Sequence, residues 1–127
     1  SWAIKSSAIK IYFSGDSGYG MHLKKIGEKH GPFDFSLIDC GQYNLAWKHS
    51  HMFPNQAVTA AIDLKSRYFM PIHWGGFILA MHPWDEPVKE SKKFAEERGL
   101  NCLTPKIGSI VSKETLDKKS NDWWEKY

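Results

Sequence analysis

The chain of 127 residues, with 42% hydrophobic and 24% charged content, has the size and balance of one globular domain rather than a disordered segment. Its formal charge of +3 is spread over lysines along the whole length, with no basic stripe beside exposed aromatics, which argues against nucleic acid as a partner. No apolar run approaches the ~20 residues a transmembrane segment needs and no signal-peptide pattern opens the chain; with only two isolated cysteines, a cytoplasmic protein is expected. The first residues, Ser1-Trp2-Ala3-Ile4, already read as strand interior and no initiator methionine precedes them, so the chain reads as a piece of a longer protein. Cys40 and Cys102 are too few for a disulfide framework or a thiolate metal site, and Cys40, at the end of an apolar run, reads as a buried, inert thiol.

In chain order, 1–5 and 8–13 form the arms of a hairpin around Ser6-Ser7. A helix follows over 19–30, with Met21, Leu23 and Ile26 on one face and Gly31-Pro32 as its stop. Residues 35–40 form a buried strand ending at Gly41, and 44–52 a polar and aromatic loop. Pro54 opens a second helix through Lys65, buried along Ala57, Val58, Ala61, Ile62 and Leu64. A strand over 68–74 leads to the Gly75-Gly76 turn and a Trp/Pro-rich loop over 81–87. A third helix, 86–98, is closed by Gly99. Residues 101–111 are expected to form a short strand pair broken at Pro105 and Gly108, and 112–127 a polar tail that docks as an amphipathic helix through Trp123-Trp124. The alternation of strand and helix predicts an α/β sheet layer covered by helices, without internal repeats.

Two strand ends carry candidate metal ligands. Ile11-Tyr12-Phe13 runs into Ser14-Gly15-Asp16-Ser17-Gly18, where glycines let the backbone turn and approach whatever Asp16 holds. Tyr68 to Ile72 runs into His73-Trp74-Gly75-Gly76, repeating the design with histidine. Functional residues of α/β sheets gather at such strand ends, and carboxylate and imidazole are both zinc donors. His51, in the loop after the Cys40 strand, is a third candidate, with a helix-capping or exposed histidine as the plainer alternative. His49-Ser50-His51 also has H-x-H spacing, which places two imidazoles on one side of an extended segment. His22, His30 and His82 read as surface residues. Tyr43, Trp47, Trp74 and Trp84 either wall a pocket above the strand ends or pack as core.

Taken in order, Ile11 to Gly20, Gly31-Pro32-Phe33-Asp34, Gly41-Gln42-Tyr43, His51-Met52-Phe53-Pro54-Asn55-Gln56 and Pro71-Ile72-His73-Trp74-Gly75 resemble the C-terminal half of metallo-β-lactamase-fold hydrolases. Within these the series is most similar to the branch containing N-acyl-phosphatidylethanolamine phospholipase D, and the similarity runs from about Trp2 to Ile110. The resemblance implies one layer, the C-terminal half, of a four-layer αββα sandwich over residues 1–127. It implies two zinc ions, with Asp16 bridging them, His73 ligating one, and His51 as the catalytic residue on the substrate side. Tyr43 and Trp74 join His51 as substrate-binding residues. The implied reaction is hydrolysis of a phosphodiester or other ester-like centre, in a small-molecule or lipid-like substrate, by a metal-held hydroxide.

The family's other ligands, in a His-x-His-x-Asp-His motif and a further histidine upstream, have no counterpart here. Phe53 and Pro54 stand where His49-x-His51 would need aspartate and histidine. The ligand set for zinc is therefore incomplete, and the chain alone is expected to be inactive. One sheet face would be bare, which predicts a partner: the missing N-terminal half or a second copy of the chain. The alternative function, of a different class, is a non-catalytic half-fold serving as an interaction module or homodimer.

Overall fold

Strands and helices alternate along the chain, and the strands lie side by side in sequence order. The computed structural model describes residues 1–116 and 122–127. Five strands, β1 (Trp2–Lys5), β2 (Lys10–Phe13), β3 (Phe33–Asp39), β4 (Ser66–Ile72) and β5 (Asn101–Cys102), form one sheet in the order β1-β2-β3-β4-β5. The first two are an antiparallel hairpin, and every later pair is parallel. Each parallel pair is bridged by a helix: α1 (Met21–His30), α2 (Pro54–Asp63) and α3 (Glu86–Glu97). Right-handed crossovers between sequential neighbours send every helix to the same side of the sheet.

The burial pattern agrees. Leu23 of α1, Ala57, Val58 and Ala61 of α2 and Ala95 of α3 share one core with Tyr12, Ile38 and Phe69 of the strands. The opposite face has a second, smaller cluster of Phe35, Tyr68 and Leu103, flanked by Ile11, Leu37, Met70 and Leu116, to which none of the three helices contributes. At the hairpin edge this face is open: Trp2 is 70% and Ile4 55% exposed. The expected α/β architecture with helices over a sheet is the one observed.

Three segments differ from the sequence reading. The strand pair expected over 101–111 reduces to β5; Leu103 N still donates to Phe69 O at 2.7 Å, but Pro105 has no N–H with which to continue the ladder. The strand expected over 68–74 starts at Ser66 and stops at Ile72, because His73 turns to φ +67°. The tail holds a turn over 113–116 and a 3-10 turn, Trp123–Lys126, in place of an amphipathic helix; the rest of that expectation, 117–121, lies outside the described residues. Docking by the tail's aromatics is nevertheless seen. Trp124 is buried edge-on against Trp74, and Lys92 of α3 pairs with Asp122 at 2.6 Å.

Cys40 is fully buried, and burial pushes its thiol well above the ordinary range despite a hydroxyl bond from Ser91 at 3.3 Å. A raised thiol pKa means less thiolate at a given pH, and the thiolate is the reacting form. Native protein treated with iodoacetamide at pH 8 should leave Cys40 unlabelled, with full labelling after denaturation. Native labelling at the rate of a free thiol, followed by mass spectrometry, would contradict this placement.

Candidate metal centre

Three strand ends meet at one rim of the sheet. At the end of β2, Ser14 N donates to Leu37 O at 3.0 Å, extending the pairing by one residue before Gly15 turns at φ +60°. That turn leaves Asp16 exposed at the rim. β3 ends on Asp39, whose side chain is fully buried. β4 ends one residue before His73, a non-glycine residue in the left-handed region, where backbone strain is commonly tolerated at functional sites. His51 is delivered by the loop between β3 and α2. Asn44 caps a 3-10 turn there, Leu45–Trp47, through a bond from Ala46 N at 2.9 Å, and His51 N closes the segment onto Trp47 O at 2.9 Å.

The outcome is a cluster of three donors. One potential ligand atom from each of Asp16, His51 and His73 lies within 4.8 Å of the others. The two imidazole rings are 5.2 Å apart, and His73 Nδ1 is 3.7 Å from Asp16 Oδ1. One carboxylate and two imidazoles suit a borderline divalent cation such as zinc. The donor set fits such an ion but falls short of what two ions require, since a catalytic zinc usually takes about three protein ligands plus a water. The other histidines stand apart. His49 is exposed and contributes backbone rather than a ligand: a Cβ on Gly18 would lie 2.5 Å from His49 O, so this glycine permits the approach of the loop that bears His51. His82 stacks on Tyr43 at 4.3 Å.

Behind the donors lies a layer that sequence reasoning missed. Asp39 Oδ2 is 2.9 Å from His51 Nδ1, and Asp39 Oδ1 is 3.1 Å from His73 Nδ1. Its own backbone N–H donates to Ser14 Oγ at 2.9 Å, joining the end of β3 to the turn that presents Asp16. Two residues on, Gly41 lets the chain after β3 pass close to the end of β4: a Cβ there would sit 1.6 Å from His73 O. Gln42 then hooks the loop beyond His73, donating to Phe77 O at 3.0 Å and accepting from Leu79 N at 3.3 Å. The available signal was an acid at the end of a largely buried strand, two residues before Gly41.

Tyr43 and Trp74, read from the sequence as walls of a substrate pocket or as core, have different surroundings. The Tyr43 hydroxyl bonds the Glu86 carboxylate; burial and that carboxylate hold its pKa above the ordinary phenol range. Trp74 donates from Nε1 to Pro71 O at 2.9 Å and stacks with Trp84 at 6.4 Å and Trp123 at 5.6 Å. Beside His73 it forms one wall of a cavity of about 300 Å³, lined further by Met70, Ile72, Ile107 and Val111. A larger hollow of about 580 Å³ lies against the C-terminal tail and touches none of the donors.

Residues 1–74 match the family model described as the beta-lactamase superfamily domain. The chain is 40% identical over 127 residues to an uncharacterized protein of Mycobacterium tuberculosis, covering 98% of this chain and 34% of that protein. It is 39% identical over 79 residues to N-acyl-phosphatidylethanolamine-hydrolyzing phospholipase D 1 of Caenorhabditis elegans, covering 60% of this chain and 22% of that one. Among solved structures, Igni18, a metallo hydrolase from the hyperthermophilic archaeon Ignicoccus hospitalis, superposes with a TM-score of 0.65 at 21% identity, over 86% of this chain and 43% of that one. The chain belongs to the beta-lactamase superfamily domain family, and its fold matches part of the metallo-β-lactamase fold. It spans only 34% of the length of its mycobacterial relative.

The packing of Gly41 against His73 gives a direct test. Gly41→Ala should destabilise the protein by about 3 kcal/mol, the upper end of the overpacking range, because the neighbour is backbone and cannot rotate away. Gly76→Ala, with nothing within 4 Å of the added Cβ, should stay within about 0.5 kcal/mol of the parent in urea unfolding.

Proposed function

We propose that this chain is the C-terminal part of a zinc-dependent hydrolase acting on a phosphodiester or other ester-like substrate. The observation that carries the reading is the convergence of Asp16, His51 and His73 at the C-terminal ends of parallel strands, in a family of metal-dependent hydrolases. A bound zinc supplies a Lewis acid and a nucleophile from water at neutral pH. Asp16 and His73 hold the metal, and His51 faces the substrate and stabilises charge that develops on it. With this incomplete set the chain alone binds metal weakly and is inactive.

The open sheet face supports a covering segment. Ile4, Ile11, Phe35 and Tyr68 are register partners across four strands, and Trp2, Phe13, Leu37 and Met70 make a parallel row. An N-terminal half in the longer protein would bury these rows and bring the remaining ligands; a second copy of the chain is the alternative occupant. The substrate class draws on the Caenorhabditis elegans relative, whose name describes hydrolysis of N-acyl-phosphatidylethanolamine. An apolar part of the substrate is also favoured by the cavity beside Trp74 and by the loop bearing Phe77, Ile78, Leu79 and Met81, all well exposed next to the centre.

In the full-length protein, Asp16→Ala or His73→Ala should lower phosphodiesterase activity by at least about a hundredfold, the scale of several kcal/mol of metal-derived stabilisation. Chelation should abolish activity and added zinc should restore it. Full activity in either variant would sink the assignment. The 127 residues alone should turn over no substrate. A zinc-free dimer by sedimentation, paired with a full-length protein that lacks activity, would favour the interaction module.

A further inference from the structure

The same carboxylate approaches both imidazoles, and in its ionised form it allows one arrangement of protons. Asp39 is fully buried, and among the described residues no lysine or arginine pairs with it. An ionised carboxylate only accepts, with about four lone-pair sites. Oδ1 has His73 Nδ1 at 3.1 Å and Gly41 N at 3.3 Å; Oδ2 has His51 Nδ1 at 2.9 Å and Ser17 N at 3.4 Å. Each oxygen thus meets one ring nitrogen and one backbone N–H. The carboxylate is satisfied only if both Nδ1 atoms carry their protons. With either proton on Nε2 instead, a ring lone pair would face the lone pair of a carboxylate that is itself fully buried, and leaving a buried charged acceptor unsatisfied is strongly unfavourable. Asp16 is not a competitor for the His73 proton, because at 3.7 Å it lies beyond hydrogen-bond range and is largely exposed.

We infer that Asp39 is the positioning residue of the centre: one buried carboxylate fixes His51 and His73 in the same tautomer, Nδ1–H, and leaves Nε2 of each as the nitrogen free to bind metal or substrate. The assignment deepens the hydrolase reading and rests on it for the identity of what Nε2 meets. The tautomers themselves are a property of the metal-free chain. Outer carboxylates on metal-binding histidines raise ligand basicity and hold ring orientation, and their loss commonly costs about 10–100-fold in metal affinity. Here a single acid serves two rings, so its loss should disturb both together.

Asparagine separates this role from simple packing. An amide of the same shape keeps one accepting oxygen but places an NH2 where the other oxygen was, facing a ring nitrogen and a backbone N–H. The ring on that side must turn its Nδ1 lone pair to the amide and move its proton to Nε2. The test uses metal-free full-length protein labelled with nitrogen-15 histidine, read by long-range nitrogen–proton spectra under conditions where the rings are neutral. Both His51 and His73 should show protonated Nδ1 and bare Nε2. In Asp39→Asn one of the two should switch, and zinc affinity by calorimetry should fall about 10–100-fold with the secondary structure unchanged. Protonated Nε2 on either ring of the parent would overturn the inference, as would a folded Asp39→Asn protein that binds zinc within twofold of the parent. The parent spectrum decides the tautomers whatever the variant's stability. A parent with the expected tautomers that binds no zinc would refute the hydrolase reading and leave the role of Asp39 standing.

Discussion

The centre depends on one carboxylate held out of water at the end of β3. Asp39 receives ring nitrogens from two different chain segments, and its backbone N–H reaches a third through Ser14. The His51 loop, the end of β4 and the turn before Asp16 are far apart in sequence and are fixed relative to one another through this residue. A charged group in such a position is unfavourable unless its lone pairs are met. Here the donors that meet them are the groups the centre needs to orient. The stability of the site and its geometry are therefore a single requirement.

The fold places that requirement at the C-terminal rim of a parallel sheet because each crossover leaves its strand there. Sequential strand order keeps the three ends adjacent, and close backbone approach completes the assembly. Gly41 allows the chain after β3 to touch the carbonyl of His73, and Gly18 does the same for the loop carrying His51. Both contacts are backbone against backbone, which leaves no side chain able to relieve a larger residue. His73 in turn leaves the extended conformation at φ +67°, so the ladder that positions it also ends at it. The strain is borne where the rigid sheet and the exposed cluster meet.

Asp16 and His73 were legible as strand-end residues because each closely follows an apolar run and lies within two residues of a glycine; His51 was suggested by its place in the loop after the Cys40 strand and by the resemblance. The helices were legible from their apolar spacing and stops. Asp39 was not, for a physical reason: it was read as part of the buried strand over 35–40, and only the packing of two later segments brings two imidazoles onto its carboxylate. His49 failed in the opposite way. Its spacing to His51 suits an extended segment, but the 3-10 turn over Leu45–Trp47 and the bond from His51 N to Trp47 O coil the loop, so the two-residue alternation does not hold. Pro105 likewise set the limit of β5 more sharply than the apolar residues around it implied.

The two faces of the sheet are unequal, and the inequality bears on the centre. On one face the helices bury Tyr12, Ile38 and Phe69 completely. On the other, burial declines across the register from Tyr68 and Phe35 in the middle to Ile4 and Trp2 at the hairpin edge. Leu103 and Leu116 shelter only the middle of it. The β1 edge is exposed at all four residues and has apolar side chains where an edge strand is usually protected by charge. A segment laid over these rows would gain the most burial at the hairpin, whose second strand leads directly into Asp16. In the proposed longer hydrolase, covering the face and completing the donors around Asp16 would fall to the same neighbouring surface.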